Sequence, residues 1–359
     1  MKIKIDKIIK CTILSLIVLI FQFCLSNNNS VVFASTVSKA ECVIDVNSGR
    51  VLYAYNEGEK LPMASTTKIL TALTAIENFD VNKSVTVPKN CVGIEGSSIY
   101  LREGENLTIK ELLYGLMLRS GNDCAETISS SIIKRSDFIS LMNKTAKKLG
   151  AINSNFTNPH GLHDDNHYTT AYDLALITLN AMKNDLFREI VSTKRVEISN
   201  DGYDYNRVLI NKNKMLTMVE GATGVKTGFT KKAGRCLVSS VKNGDFEVVA
   251  VVLNSPDMWN RSTEIISNAF NEYKNVKIVD KIEFSDVVYK TNKNKKLCLM
   301  LESDFYYPLK QEEIDLIEFK IDGQSIENYV KNPKKVAEFQ ILLKNELIFS
   351  QKVFSIYNR

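Results

Sequence analysis

Several residue types are scarce in this sequence, and their scarcity excludes several classes of protein. Six prolines and 16 glycines among 359 residues are too few for a fibrous or low-complexity chain. The seven cysteines include no Cys-x-x-Cys pair, which argues against a zinc ribbon and a dense disulfide scaffold. Basic residues exceed acidic ones by only five charges, which does not by itself indicate nucleic-acid binding. Apolar residues make up 44% of the chain, a proportion typical of a globular protein with a sizeable core.

The amino terminus has the pattern of a secretory signal peptide. Four lysines up to Lys10 precede an apolar run at residues 13–25, and Ala34 supplies a small residue for cleavage. An uncleaved membrane anchor is the alternative, because about 15 apolar residues fall just short of a bilayer span. We expect cleavage of residues 1–34. This segment carries four lysines and one aspartate, so the exported chain would keep a net charge of only +2.

Five cysteines remain after the predicted cleavage, and they are widely spaced. An odd number of thiols cannot all pair, so we expect most of them to be small buried apolar residues. They are Cys42, Cys91, Cys124, Cys236 and Cys298.

Residues 35–277 predict a mixture of helices and strands. Thr108 and Glu111 form a capping-box pattern that opens a helix, and Asn243 with Gly244 separates two strand-like runs, a strong hairpin signal. A first helix is predicted to begin at Ser65. Further helices are predicted at 108–118, 123–133, 171–182 and 261–273. The predicted strands cover 42–45, 51–55, 235–241 and 246–253.

The last part of the chain has a different residue pattern, which predicts strands. Runs at 336–343 and 347–354 predict a hairpin, and little there predicts a long helix. We therefore predict a larger domain at 35–277 and a small β-rich domain at 278–359. The final residues alternate like a strand, so we expect membrane association after signal cleavage to be weak or absent.

Three short elements carry the chemistry: Ser-x-x-Lys at 65–68, Ser-x-Asn at 120–122 and Lys-Thr-Gly at 226–228. On a helix Ser65 and Lys68 share a face, where a lysine made neutral by burial can take the proton of the serine. Taken alone, the first element fits a helix N-cap beside a solvated lysine better than it fits a catalytic pair. The pattern also occurs at 131–134 and 239–242, but the first lies after Ser120 and the second in a predicted strand.

The second and third elements offer partners for such a serine. Ser120 could pass a proton to a leaving amine and Asn122 could hold a substrate amide, although an ordinary turn is the alternative. On a strand edge, Lys226 would supply positive potential, Thr227 a hydroxyl for a carboxylate, and Gly228 room for the substrate backbone. A phosphate-binding loop is excluded, because its lysine would have to follow a glycine directly.

The order of these elements resembles the low-molecular-mass penicillin-binding proteins, the serine-type D-alanyl-D-alanine carboxypeptidases. The resemblance covers roughly residues 42–270 and includes the blocks at 63–68, 119–123, 158–162 and 224–230. It implies an α/β (α+β) penicillin-binding and β-lactamase-like core, in which helices pack on an antiparallel sheet, followed by a small all-β domain.

The resemblance also implies a two-step acyl transfer. Ser65 would attack the penultimate D-alanine of a peptidoglycan stem peptide with Lys68 as base, and the backbone N–H groups of Ser65 and Phe229 would hold the oxyanion. β-Lactam antibiotics would acylate the same serine. The implied catalytic residues are Ser65, Lys68 and Ser120, and the implied substrate-binding residues are Asn122, Lys226, Thr227, Gly228, Phe229 and Arg261. No cofactor, metal or nucleic acid is expected, and the protein would act outside the cytoplasm in cell-wall biogenesis.

Three competing interpretations are weaker. A class A β-lactamase would need a Glu-x-x-Leu-Asn segment, and no glutamate between Asn122 and Lys226 opens one. A non-catalytic wall-binding protein would not need the reactive serine and lysine. A zinc site at His160, His163 and His167 is disfavoured, because Pro159 and Gly161 predict a loop rather than a helix there.

Overall fold

The computed structural model describes residues 38–280, 289–290, 296–299, 301, 303–325 and 336–358. The predicted signal peptide at 1–34 lies outside the described residues. Within them, no helix is both long enough and apolar enough to cross a membrane.

Strands and helices are mixed along the described chain up to residue 272, and strands with a 3-10 helix at Gln311–Leu316 follow. The strands are β1 (Ala40–Asp45), β2 (Val51–Tyr55), β3 (Ser84–Thr86), β4 (Asn106–Thr108), β5 (Arg195–Ile198), β6 (Arg207–Ile210), β7 (Ala222–Thr230), β8 (Gly234–Asn243), β9 (Phe246–Leu253), β10 (Lys274–Val279), β11 (Tyr289–Lys290), β12 (Lys296–Leu299), β13 (Phe305–Leu309), β14 (Ile317–Ile321), β15 (Gln324–Ser325), β16 (Val336–Leu343) and β17 (Glu346–Asn358). The helices are α1 (Lys68–Asn78), α2 (Ile109–Leu118), α3 (Asn122–Ser131), α4 (Arg135–Lys148), α5 (Ala171–Met182), α6 (Asp185–Ser192), α7 (Met215–Met218) and α8 (Met258–Glu272).

A five-stranded antiparallel sheet with the order β2-β1-β9-β8-β7 forms the centre of the larger part. Every residue of β9 is buried, which explains the uninterrupted apolar run at 248–253. Val249 and Val251 belong to one hydrophobic core, and Val248 and Val252 belong to the other, so both faces of the sheet are covered. The helices α5 and α8 pack against this strand, and β7 forms an edge of the sheet.

Local signals in the sequence match the structure closely at several elements. The strands β1 and β2 pair as a hairpin. The capping box is present, since Thr108 Oγ1 accepts from Glu111 N at 3.2 Å and the Glu111 carboxylate accepts from Thr108 N at 2.8 Å. The helix predicted from residue 261 begins at Met258 instead, because the Asp257 side chain caps it by accepting from Asn260 N.

The helix predicted to begin at Ser65 begins at Lys68 instead, and Ala64–Thr67 form a 3-10 turn before it. The hydroxyl of Thr66 donates to the carbonyl oxygen of Met63 at 2.7 Å, and Thr67 bonds in the same way to Ala64. These bonds to the third preceding residue tighten the turn and delay the α-helix.

The carboxyl-terminal strands form two further sheets. β10 pairs with β13, and a six-stranded sheet has the order β11-β12-β17-β16-β14-β15. A separate core includes Phe339, Ile341 and Val353. Arg50 joins this part to the β1–β2 hairpin by donating to the carbonyl oxygen of Pro308 and to the Glu313 carboxylate. The domain limits at 277 and 278, which fall inside β10, stay a prediction.

The described cysteines are buried and form no disulfide in the described part of the chain. Cys42, Cys91, Cys124 and Cys236 all have free thiols. The expectation of small buried apolar residues is confirmed for these four. The side chain of Cys298 lies outside the described residues.

Candidate active site

The predicted nucleophile, Ser65, lies in the 3-10 turn at Ala64–Thr67. This turn is held from two sides, because Thr67 Oγ1 donates to the carbonyl oxygen of Ala64 at 2.8 Å and Gly161 packs against the same oxygen. Ala64 has a φ of +50°, a left-handed conformation that alanine rarely adopts. Such a conformation persists only where the surroundings enforce it, so Ser65 is presented in a fixed position.

Gly161→Ala is expected to destabilise the protein by about 2–4 kcal/mol, combining a backbone clash with left-handed strain. A Cβ atom on Gly161 would overlap the carbonyl oxygen of Ala64, and φ is +88°. Urea unfolding measures the change. Gly58→Ala is the matched control, because a Cβ there meets nothing within 4 Å. Equal stability of the two variants would contradict the close packing described for the nucleophile turn.

Lys68 is fully buried, and its amine lies beside the predicted nucleophile. Nζ is 3.0 Å from Ser65 Oγ, 2.7 Å from Asn122 Oδ1 and 2.6 Å from the carbonyl oxygen of His160. Burial holds the pKa of Lys68 well below its ordinary value, and the nearby charge of Lys226 lowers it further. A neutral amine would use its two N–H groups on Asn122 and His160. Its lone pair would then be directed at Ser65 Oγ, which is the arrangement that a general base needs.

Ser120 and Asn122 lie where α2 ends and α3 begins. Ser120 has a φ of +65° and lines the same cleft as Ser65. The Asn122 amide is engaged within the protein, since Oδ1 accepts from Lys68 and Nδ2 donates to the carbonyl oxygen of Glu95 at 2.5 Å. The predicted substrate contact of Asn122 stays a prediction, and the structure adds that this side chain orients the Lys68 amine.

A network behind the site, which sequence reasoning missed, fixes the carbonyl group that holds Lys68. It consists of the buried His160 and Glu126 and the exposed Arg135. His160 Nε2 lies 3.0 Å from Glu126 Oε1, and Arg135 donates to both carboxylate oxygens of Glu126. Burial acts to raise the pKa of Glu126, but the bonds from His160 and Arg135 lower it to about 2. His160 Nδ1 accepts from Leu162 N at 3.1 Å, so the ring is held at both nitrogens.

The other two histidines have separate contacts. His167 Nε2 lies 2.8 Å from Thr67 Oγ1, and its Nδ1 accepts from Thr157 N at 3.0 Å. Burial lowers the pKa of His167 to about 4. His163 pairs with Asp165 at the surface. His160 and His167 therefore support Lys68 and the nucleophile turn from behind.

Lys226 and Thr227 lie on the edge strand β7, as predicted from the sequence. Lys226 is buried and its Nζ donates to the carbonyl oxygen of Thr227 at 2.9 Å. Burial lowers the pKa of Lys226 to about 7, and the charge of Lys212 contributes. A lysine with this pKa is partly charged at neutral pH and can change its charge when an anion binds.

Gly228 brings β7 against the nucleophile turn. A Cβ atom at this position would lie 2.9 Å from the carbonyl oxygen of Met63 and 3.1 Å from Ser65 N. Gly228 also lines the cleft beside Ser65, so the room that it was predicted to leave for a substrate backbone stays a prediction. The close approach puts the backbone of β7 next to Ser65 N.

These elements enclose a cleft of about 380 Å³. Within the described chain, its lining includes cationic side chains and no carboxylate. The lining residues are Ser65, Ser97, Ser120, Lys212, Lys214, Thr227, Gly228, Phe229, Arg235, Met258 and Trp259. A cleft with this charge favours an anionic ligand.

The structure places Arg261 elsewhere and brings Arg235 to the cleft instead. The Arg261 guanidinium is bound to the buried Glu41 at 2.7 and 2.8 Å, and also to Tyr53 and Glu264. These contacts hold Arg261 in the packing of α8 against the β1–β2 hairpin, so its predicted substrate contact is not supported. Arg235 was missed because its position depends on register: it pairs with Phe229 across the β7–β8 hairpin.

Comparisons with known proteins agree with this geometry. Residues 27–257 match the Peptidase_S11 family, described as D-alanyl-D-alanine carboxypeptidase. D-alanyl-D-alanine carboxypeptidase DacF of Bacillus subtilis is 35% identical over 249 residues, which cover 66% of this chain and 63% of the relative. D-alanyl-D-alanine carboxypeptidase DacC of Escherichia coli is 29% identical over 335 residues and covers 82% of both chains. The chain thus spans somewhat less than two thirds of the first relative and most of the second.

Solved structures give the same result. The Streptomyces K15 DD-transpeptidase has a TM-score of 0.61 at 31% identity, covering 67% of this chain and 100% of that chain. The D-alanyl-D-alanine carboxypeptidase DacD of Francisella tularensis has a TM-score of 0.68 over 93% of this chain and 97% of that chain, and at 22% identity it shows the fold alone. The predicted fold class, family and peptidase class are confirmed. Because the family match covers well over half of the chain, this protein belongs to the Peptidase_S11 family, the D-alanyl-D-alanine carboxypeptidases.

Proposed function

We propose that this protein removes the terminal D-alanine from peptidoglycan stem peptides through an acyl-enzyme on Ser65. The observation that carries the proposal is the buried amine of Lys68, 3.0 Å from Ser65 Oγ, at the base of a cationic cleft. The cations suit a substrate that ends in a free carboxylate. The family match supports the same reaction.

Acylation follows from these positions. Lys68 takes the proton of Ser65 Oγ as the oxygen attacks the carbonyl carbon of the penultimate D-alanine. The backbone N–H groups of Ser65 and Phe229 stabilise the negative charge on the carbonyl oxygen, and the close approach of β7 at Gly228 supports this assignment. When the C–N bond breaks, the proton passes through Ser120 to the amine of the departing D-alanine, which leaves an ester on Ser65.

Deacylation and release complete the cycle. Water attacks the ester carbonyl and gives a proton to Lys68. The bond between the carbonyl carbon and Ser65 Oγ then breaks, Lys68 passes that proton to Oγ, and the shortened peptide leaves as an acid that ionises to a carboxylate. Lys226, Thr227 and Arg235 hold the terminal carboxylate of the incoming peptide. Penicillin, which carries a carboxylate beside its reactive amide, would acylate Ser65 in the same way.

The β-lactamase alternative gains no support from the cleft. No glutamate or aspartate is among its described lining residues, and Glu126 is held behind the site by Arg135 and His160. The deciding experiment incubates the pure protein with a D-Ala-D-Ala-terminated peptide and, separately, with penicillin. Free D-alanine supports the proposal, whereas hydrolysed penicillin beside an intact peptide would refute it.

Arg235→Gln is expected to raise the KM for a D-Ala-D-Ala peptide by about 5- to 20-fold with a smaller change in kcat, because it removes a charge that attracts the carboxylate. Arg261→Gln is the matched comparison. It leaves Glu41 buried without its ion-pair partner, so it is expected to lower stability by about 3–5 kcal/mol. Steady-state kinetics and urea unfolding separate the two effects. A larger rise in KM for Arg261→Gln than for Arg235→Gln would overturn the assignment.

We further propose that the protein acts outside the cytoplasm in cell-wall biogenesis. Its amino-terminal pattern and the cell-wall chemistry of the proposed substrate support this location. Cell fractionation tests this location, with the protein detected in each fraction by an antibody against the described part of the chain. Recovery of the full-length chain from the cytoplasm would contradict the location.

A further inference from the structure

The cleft continues past Ser65 into a second cavity of about 420 Å³. Both cavities are lined by Ser65, Lys212 and Phe229, so they form one groove with the nucleophile between two arms. The carboxylate arm is the one lined by Arg235. The acyl arm is the one lined by Arg119.

Strand β7 gives the groove a direction. Thr227 lines only the carboxylate arm, Phe229 lines both arms and Thr230 lines only the acyl arm. An extended peptide lying along this edge strand, with its terminal carboxylate near Thr227, would place the residues before the scissile bond near Thr230. The acyl arm is therefore the part of the groove that meets the rest of the stem peptide.

The acyl arm carries two positive charges. Arg119 is half-buried, and its Nη1 donates to the carbonyl oxygen of Ile210 at 3.2 Å, which leaves its positive charge uncompensated by an acid. Burial lowers the pKa of Lys212, and the charge of Arg119 lowers it further. Lys212 Nζ lies 3.5 Å from Ser97 Oγ, and among the described residues no ion pair joins either cation to an acid. No aspartate or glutamate is among the described residues that line this arm. Two like charges that line one cavity without a counter-ion favour an anionic ligand in that cavity.

We propose that the acyl arm binds a carboxylate on the side chain of the residue that directly precedes D-Ala-D-Ala. Arg119 and Lys212 select such peptides over peptides whose side chain at that position is neutral or cationic. A carboxylate there gains two charge-assisted contacts, whereas an ammonium group is repelled by both side chains. This inference rests on the proposed function and adds to it the chemical class of the preferred substrate.

Pairs of peptides that differ only in the charge of one side chain test this preference. One pair is acetyl-L-Glu-D-Ala-D-Ala and acetyl-L-Gln-D-Ala-D-Ala, and a second pair carries the longer 2-aminopimelate side chain as its acid and its amide. For the acid of at least one pair, kcat/KM is expected to exceed that of its amide by about 5- to 20-fold at low salt. The ratio is expected to shrink in about 0.5 M sodium chloride, because salt screens a partly exposed charge pair.

Protein variants assign the preference to the two cations. Arg119→Gln and Lys212→Gln are each expected to bring the ratio of kcat/KM for the acid peptide to kcat/KM for the amide peptide close to one. Lys212 is exposed, so its substitution is expected to leave the fold intact. Arg195→Gln is the matched control, since Arg195 lines neither arm and pairs with Glu197 at the surface. It is expected to leave the ratio unchanged.

The outcomes separate this inference from the proposed function. Release of D-alanine from the acid and the amide at equal rates in both pairs would overturn the subsite and leave the carboxypeptidase activity intact. A ratio that survives both Arg119→Gln and Lys212→Gln would also overturn it. If folded protein releases no D-alanine from any peptide, the proposed function itself fails, and the subsite with it.

Discussion

Ser65→Ala is expected to abolish the covalent adduct with penicillin and to lower the release of D-alanine by at least about 1,000-fold. Without Oγ the acyl-enzyme cannot form, and water would have to attack the peptide directly. Intact mass spectrometry detects the adduct, and peptide mapping places it. The variant is expected to fold normally, because Ser65 is only partly buried and its side chain makes one hydrogen bond within the described part of the chain, with Lys68.

Ser131→Ala is the matched control for this experiment, since Ser131 begins a second Ser-x-x-Lys pattern. It is the last residue of α3, and Lys134 lies beyond the end of that helix. The control is expected to keep the adduct and the release of D-alanine. An adduct that survives Ser65→Ala, or one that disappears in Ser131→Ala, would refute Ser65 as the nucleophile.

Much of the fold could be predicted because its signals are local. The capping box at Thr108, the β8–β9 hairpin at Asn243 and Gly244, and the apolar run of β9 depend on neighbouring residues, and all three are present in the structure. The start of α1 could not be predicted in the same way. It depends on the positive φ of Ala64, which is supported by Gly161 from a distant loop.

The site residues also fall into those that local spacing predicts and those that contacts across the fold bring into place. The pairing of Ser65 with Lys68 follows from helical spacing, and the structure brings Asn122 to the same amine. Contacts made across the fold were missed. Arg235 reaches the cleft only through the register of β7 and β8, and Arg261 is held by Glu41, a residue more than 200 positions earlier.

The support behind Lys68 was also beyond sequence reasoning. The sequence disfavours a zinc site at the histidines near residue 160 but gives them no other role, whereas in the structure His160 contacts Glu126 and offers its backbone carbonyl group to Lys68. A hydrogen bond to a backbone atom leaves no trace in residue type. Only the position of the loop in three dimensions gives this carbonyl group its use.

Lys68→Arg is expected to lower the rate of acylation by about 100- to 10,000-fold, the usual contribution of a general base. Arginine keeps the positive charge but cannot release a proton at any accessible pH, so the variant separates charge from basicity. Stopped-flow acylation by penicillin measures the loss. Lys134→Arg, from the second Ser-x-x-Lys pattern, is the control and is expected to acylate normally. Acylation by Lys68→Arg at the native rate would exclude Lys68 as the base.

The pH profile of kcat/KM tests the same lysine without changing it. Lys68 must be neutral to act, so activity is expected to fall as the pH drops through its lowered pKa. Lys226 must be charged to attract a carboxylate, and kcat/KM reports the free enzyme, so activity is also expected to fall as the pH rises through about 7. The two amines interact, so the limbs of the profile belong to the pair.

Lys226→Met identifies the acid limb of that profile. The charge of Lys226 disfavours protonation of Lys68, so its removal is expected to raise the pKa of Lys68 and to move the acid limb to higher pH. Substrate binding also weakens, so the position of the limb, rather than the absolute rate, carries the result. Lys214→Met is the control, because Lys214 also lines the cleft and is not one of the groups that chiefly shift the pKa of Lys68. An acid limb that stays in place in Lys226→Met would show that the titrating group is not coupled to Lys226, and would remove Lys68 from the role of base.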